Sequence, residues 1–111
     1  MINEYKYGMF KIDGKMHYED IKLLGTKVRY WECRTREIEP EHIQDLLTAS
    51  PEVLVIGLGA GGLIAVSDKV KDVLRVRGIK LVAAKNQEAC KRYNELLQEG
   101  KKVAALLPAR G

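Results

Sequence analysis

VLVIGLGAGGLIAV, residues Val53 to Val66, lies between Glu52 and Asp68 in the longest uncharged run of the chain. Its first part, Val53 to Ile56 with Leu58, is apolar on both faces of any strand it forms. Such a strand belongs in the middle of a covered sheet, not at its edge. Four glycines follow within six positions, Gly57, Gly59, Gly61 and Gly62. Glycine reaches backbone angles that side chains forbid and lets another group come close to the main chain. A covered strand leaving its sheet through a glycine turn therefore predicts an α/β protein.

By spacing, Gly57-x-Gly59-x-x-Gly62 matches the dinucleotide-binding fingerprint. That fingerprint works when the last glycine already lies in the first turn of a helix, whose amino end then faces the pyrophosphate. Here Leu63 to Val66 intervene before Ser67-Asp68, a helix start with a good cap and an acid at the positive end. An acidic residue is also expected about 20 residues further on, to hold the ribose. The chain has Ala83-Ala84-Lys85-Asn86 there. We read the glycines as a tight exit from a buried strand and expect no cofactor.

On the carboxyl side, helices and strands alternate. Val70, Val73 and Leu74 form the inward stripe of a helix from Asp68 to Arg77, closed by Gly78. Ile79 to Ala84 reads as a second buried strand. Asn86 reads as the cap of a third helix running to Glu99. Its stripe is Ala89, Tyr93, Leu96 and Leu97 with Cys90 alongside, and Glu88 and Arg92 make an i,i+4 pair. Gly100 stops it, and Val103 to Leu107 is a last buried strand ended by Pro108.

On the amino side, residues 5–12 read as a strand and Asp13-Gly14 as a type I′ hairpin turn. Residues 15–18 return as its partner. Ile21 to Gly25 reads as a connector and Lys27 to Cys33 as a further strand, dense in β-branched and aromatic residues. Pro40 opens the first helix, with Ile43, Leu46 and Leu47 on one stripe, and Ser50-Pro51 ends it. The expectation is one three-layer domain over 1–111. It has an antiparallel part over 1–33 and an alternating helix/strand part over 34–111. A mixed sheet of about five strands carries the helices, with an N-terminal hairpin at one side.

At 111 residues, with 46% hydrophobic residues, the chain is long enough for one real core. Charge is uneven. Residues 1–50 hold 8 Lys and Arg against 9 Asp and Glu, and residues 51–111 hold 11 against 6. The uncharged run of 15 residues contains four glycines and is too short to span a membrane. Met1-Ile2-Asn3-Glu4 does not resemble a leader, so two free thiols in a cytoplasmic protein are expected.

Several segments together resemble the small α/β family that includes mitochondrial complex I assembly factor 3 and the adipogenesis-associated domain protein. They are Ile12-Asp13-Gly14-Lys15 with Tyr18 and Asp20, Val28 and Trp31, and Pro51-Glu52-Val53-Leu54-Val55-Ile56-Gly57-x-Gly59. Ala89-x3-Tyr93-Asn94-x-Leu96 and Gly100-x2-Val103-Ala104-Ala105-Leu106-Leu107 complete the set. The resemblance implies a three-layer fold on a mixed sheet, and no established reaction, metal or cofactor. Family members often carry threonine near position 86 and histidine near 108, where this chain has Asn86 and Pro108. Chemistry resting on that histidine has no counterpart here.

Residues that carry chemistry are few. His17 and His42 lack cysteines at metal-ligand spacing, so no metal is expected. Cys90 lies on an inner helix stripe and Cys33 closes a strand, which suits inert thiols. Tyr5, Tyr7, Phe10 and Tyr18 could stack on bases, but the half that holds them is not basic, which disfavours nucleic acid. One composite site remains. Ligands of alternating α/β folds sit beyond the carboxyl ends of the strands. That edge would gather Gly57, Gly59 and Gly62 with Ser67, Lys85 and Asn86. Amides, two helix ends and a lysine suit a small anion. Two functions therefore stand. One is a non-enzymatic interaction or assembly-type protein with a protein partner. The other is an enzyme binding a small anion or phosphorylated metabolite at this edge.

Overall fold

The computed structural model describes all of residues 1–111. It opens with a three-stranded antiparallel meander of β1 (Ile2–Lys6), β2 (Met9–Ile12) and β3 (Lys15–His17). Asp13 and Gly14 turn β2 into β3 with φ of 48° and 84°, the positive pair that a type I′ turn requires. The single strand expected over residues 5–12 is instead two. Tyr7-Gly8 reverses the chain, with Gly8 at φ 81°, and its N–H donates to the Ala109 carbonyl at 2.8 Å.

The segment read as a connector is also a strand. β4 (Asp20–Leu24) pairs antiparallel with β5 (Lys27–Trp31), which stops two residues before Cys33. Ile21 and Leu23 are almost wholly buried while Lys22 and Leu24 are half-buried, the period of two that a covered strand shows. Two further short strands, β6 (Glu37–Ile38) and β8 (Ala65–Val66), pair in parallel. This pairing carries Leu63 to Val66 away from the glycines before the next helix begins.

The main sheet has the order β5-β4-β10-β7-β9, with β7 (Val53–Gly57), β9 (Lys80–Ala84) and β10 (Val103–Leu107) mutually parallel. β10 pairs antiparallel with β4, so the sheet is mixed. Every residue of β7 and β10 is buried. β9 is not the buried strand expected. It forms the outer edge, with Lys80 and Ala83 exposed and Leu81, Val82 and Ala84 half-buried. An apolar run alone does not separate a central strand from an edge strand. β7 has neighbours on both sides, and β9 has only β7.

Alternation assigns the two faces. Ile21, Leu23, Val53, Val55, Ala105 and Leu107 pack under α3 (Asn86–Gln98) and the meander. Leu54, Ile56, Ala104 and Leu106 pack under α1 (Pro40–Leu47) and α2 (Asp68–Arg77). α1 begins on proline, and its first turn is closed by the His42 ring, whose Nδ1 accepts the Glu39 N–H at 2.8 Å. α2 is capped by Ser67, whose hydroxyl accepts the Val70 N–H, and ends at Gly78 with φ 70°. In α3, Arg92 reaches Glu95 at 2.9 Å and not Glu88 as the spacing suggested. Both cysteines are free. No helix is long and apolar enough to cross a membrane.

Centre and edge of the sheet should differ in stability. Leu106→Ala, in the fully buried β10, should cost about 2–5 kcal/mol in urea unfolding. Leu81→Ala, on the half-exposed edge, should cost under about 1.5 kcal/mol. Equal losses would contradict the strand order.

Candidate functional site

The carboxyl ends of β7, β9 and β10 meet at one edge, and a single side chain joins them. Asn86 is fully buried. Its Oδ1 accepts the Gly59 N–H at 3.1 Å, and its Nδ2 donates to the Pro108 carbonyl at 2.5 Å. Its own backbone N–H donates to the Gly59 carbonyl at 3.0 Å. A carboxamide offers an acceptor and donors at once, so one buried side chain can satisfy groups on two other segments. Asn86 is therefore not the helix cap expected. Lys85 holds the N-cap position without a side-chain bond, and Asn86 is the first residue of α3.

The glycines make this approach sterically feasible. A Cβ on Gly57 would stand 2.3 Å from Asn86 Oδ1. Gly59 has φ 86°, and a Cβ there would stand 2.3 Å from the Gly111 carbonyl carbon. Gly62 has φ 78° and faces the Lys85 side chain, 3.0 Å from Cε. Gly57, Gly59, Gly62, Lys85 and Asn86 thus converge. Ser67 takes no part. Its N–H donates to the Ile38 carbonyl and its hydroxyl serves α2.

The element not foreseen is the segment Pro108 to Gly111, which fills the space above the strand ends. The Ala109 carbonyl accepts the Tyr5 hydroxyl at 2.7 Å, and its N–H donates to Asp20 Oδ1 at 2.6 Å. Asp20 Oδ2 in turn accepts the Cys33 N–H at 2.7 Å. The Gly61 N–H donates to the Gly111 carbonyl oxygen at 2.9 Å. Closely spaced glycines announce that something approaches, but not which segment does.

The chemistry of this edge follows from those bonds. The amides of Gly59 and Gly61, which an anion would use, already have partners in the chain. Lys85 is exposed and free of ion pairs, so with Gly62 it is what remains of the anion site. No buried side-chain nitrogen or oxygen lacks a partner. Burial raises the Cys33 thiol and pushes Cys90 up to about 12, so neither is a ready thiolate. Burial likewise raises the Tyr5 and Tyr93 hydroxyls. His17 is buried, with Nδ1 2.7 Å from the Tyr30 hydroxyl, and the His42 ring lies against Trp31.

A protein family described as "Protein of unknown function (DUF498/DUF598)" matches residues 2–108. A conserved hypothetical protein from Pyrococcus horikoshii OT3 has a similar structure, with TM-score 0.85 and 22% identity over 100% of this chain and 99% of its own. A Bartonella henselae protein described as an outer membrane protein has TM-score 0.86 and 25% identity, over 99% and 94% of the two chains. A Bordetella pertussis protein described as a Mth938-like domain has TM-score 0.71 and 19% identity, over 99% and 86%.

Asn86→Ala strands the Gly59 N–H and the Pro108 carbonyl in the interior, and should cost roughly 2–4 kcal/mol. Asn86→Asp tests the polarity of the tie. The introduced carboxyl faces the Pro108 carbonyl and is buried, so its folded pKa lies above the unfolded value near 4. Stability should be greatest below that value, where the acid can donate a proton to Pro108, and should fall as pH rises towards 7. Unfolding curves that do not depend on pH in this variant, relative to wild type, would refute the assignment. Gly59→Ala should cost roughly 2–4 kcal/mol, from positive φ and from overpacking against Gly111.

Proposed function

We propose that this chain, which belongs to the DUF498/DUF598 family of proteins of unknown function, is a non-enzymatic interaction protein of assembly type. It presents the outer face of the β1–β3 meander to a protein partner. The observation that carries this reading is the composition of that face. Phe10, Ile12 and His17 point into the core. Alternation puts Lys6, Met9, Lys11, Met16 and Tyr18 on the other side. Met16 is 50% exposed and Tyr18 59% exposed, and the Tyr18 hydroxyl sits 3.2 Å from Met16 Sδ. Tyr7, at the β1–β2 turn, is 67% exposed.

A solvated sheet face normally carries short polar and charged residues. Tyrosine and methionine are instead the residues enriched in protein interfaces, and methionine adapts to varied partner surfaces. Around the patch Lys6, Lys11 and Lys15 are matched by Glu4, Asp13 and Glu19, and Lys6 lies 3.7 Å from Glu4, so the apolar and aromatic centre carries the recognition rather than net charge. The resemblance to the family of mitochondrial complex I assembly factor 3 supports the same reading. Two free thiols suit work in the cytoplasm. A second reading, an enzyme for a phosphorylated metabolite, rests on the unpaired Lys85 beside Gly62.

A photo-crosslinker placed at Tyr18 should trap a partner that one at Val76, 77% exposed on α2, does not. With that partner purified, the double variant Met16→Glu, Tyr18→Ser should bind at least about tenfold more weakly, or about 1.4 kcal/mol, with an unchanged melting temperature. Equal trapping at both positions, or unchanged affinity, would remove this proposal. Phosphate-induced NMR shifts at Gly62 and Lys85 that vanish in Lys85→Glu would favour the second reading.

A further inference from the structure

The opposite end of the sheet carries a cavity of different character. It has a volume of about 370 Å³ and opens where β7 and β10 begin, beside the β4–β5 turn. Leu24, Ala49, Pro51 and Val103 form its apolar wall. Lys27, Lys101 and Lys102 stand at its mouth, all three exposed. None of them forms an ion pair, and no carboxylate lines the cavity. Glu52, next to Pro51, accepts the Lys102 backbone N–H on Oε2 at 2.8 Å and keeps its charge there, so three ammonium groups stand against one nearby carboxylate and the mouth is net positive.

The cavity is also held open by the fold. Gly25 turns at φ 61°, its N–H donates to the Val103 carbonyl at 3.3 Å, and its carbonyl accepts the Tyr93 hydroxyl from α3. The mouth is therefore tied to both the central strand and a helix. Lysine stems can lie along an apolar wall while the ammonium groups stay in water. Three like charges at one mouth repel each other unless an anion joins them. Small-molecule sites run from roughly 300 to 1,000 Å³ and are mostly apolar with a few convergent polar groups. At about 370 Å³ this one is at the small end of that range.

We propose that this cavity binds a single-tailed amphipathic anion, of which a medium-chain carboxylate is the simplest form. The alkyl chain lies against Leu24, Pro51 and Val103, and the carboxylate meets Lys27, Lys101 and Lys102. The inference is independent of the β1–β3 face, which lies on other elements.

The test is an NMR titration of the full chain with octanoate, hexanoate, octanol, acetate and inorganic phosphate. Octanoate should move the amides of Leu24, Gly25 and Val103. Each added methylene from hexanoate to octanoate should tighten binding about fourfold, the equivalent of about 0.8 kcal/mol. Octanol, lacking charge, should bind at least about tenfold more weakly. The triple variant Lys27→Gln, Lys101→Gln, Lys102→Gln should lower octanoate to the level of octanol without changing the melting temperature. Ala49→Phe, which fills the wall and leaves the lysines, should block octanoate as well. Acetate or phosphate binding as tightly as octanoate would overturn the proposal, leaving only a charged patch. So would the absence of octanoate shifts at these amides, or a triple variant that binds like wild type. A glutamate-rich peptide that moves these amides at lower concentration than octanoate would also overturn it, in favour of protein docking.

Discussion

The buried carboxamide of Asn86 is the interaction on which the carboxyl end of the sheet depends. It bonds at once to the Gly59 amide and the Pro108 carbonyl, and so fixes α3 to the loop after β7 and to the segment after β10. An unmade bond to a buried backbone group costs more than a made bond contributes, so this tie is most felt when broken. Gly57 and Gly59 exist in that context. Each removes a Cβ that would overlap Asn86 or the Gly111 backbone. The glycine cluster is thus the negative image of the chain segments pressed against it.

This arrangement divides the molecule into ends of unlike chemistry. At the carboxyl end, polar groups are numerous but mutually engaged. At the amino end, polar groups are few, and the lysines there lack acidic partners. The side surfaces differ as well. β5 carries Lys27 and Arg29 along one sheet edge, whereas β9 carries only Lys80 on the other. Charged side chains blunt an edge against strand addition. The meander covers one face of the sheet and turns Met16 and Tyr18 outward, which is where an interaction reading finds its surface.

Elements with a strong period were legible in the chain. Ile43, Leu46 and Leu47, then Val70 and Leu74, then Ala89, Tyr93 and Leu96 are the buried stripes of three helices. Asp13-Gly14 marked its hairpin through positive φ at both positions. The misread segments share a cause, which is that their signal is short or is supplied from elsewhere. β4 spans five residues and shows only two alternating buried positions. Tyr7-Gly8 lacks an Asn or Asp to announce the turn. β6 and β8, at two residues each, exist because they find one another. Asn86 looked like a cap because asparagine caps helices well. Only the approach of Pro108 and Gly59 turned its side chain inward.

Local chemistry therefore determined the helices, the hairpin, the covered character of β7 and β10, and the backbone freedom of the glycine run after β7. These follow from period, propensity and the missing Cβ of glycine, all carried by residues close in sequence. Tertiary structure alone decided that β9 is an edge and that Asn86 is a tie. It also decided that Ser67 stands apart and that Lys27, Lys101 and Lys102 share one mouth. Each of those depends on pairings between segments tens of residues apart. The spacing of residues along a chain holds no record of which distant backbone will lie against them.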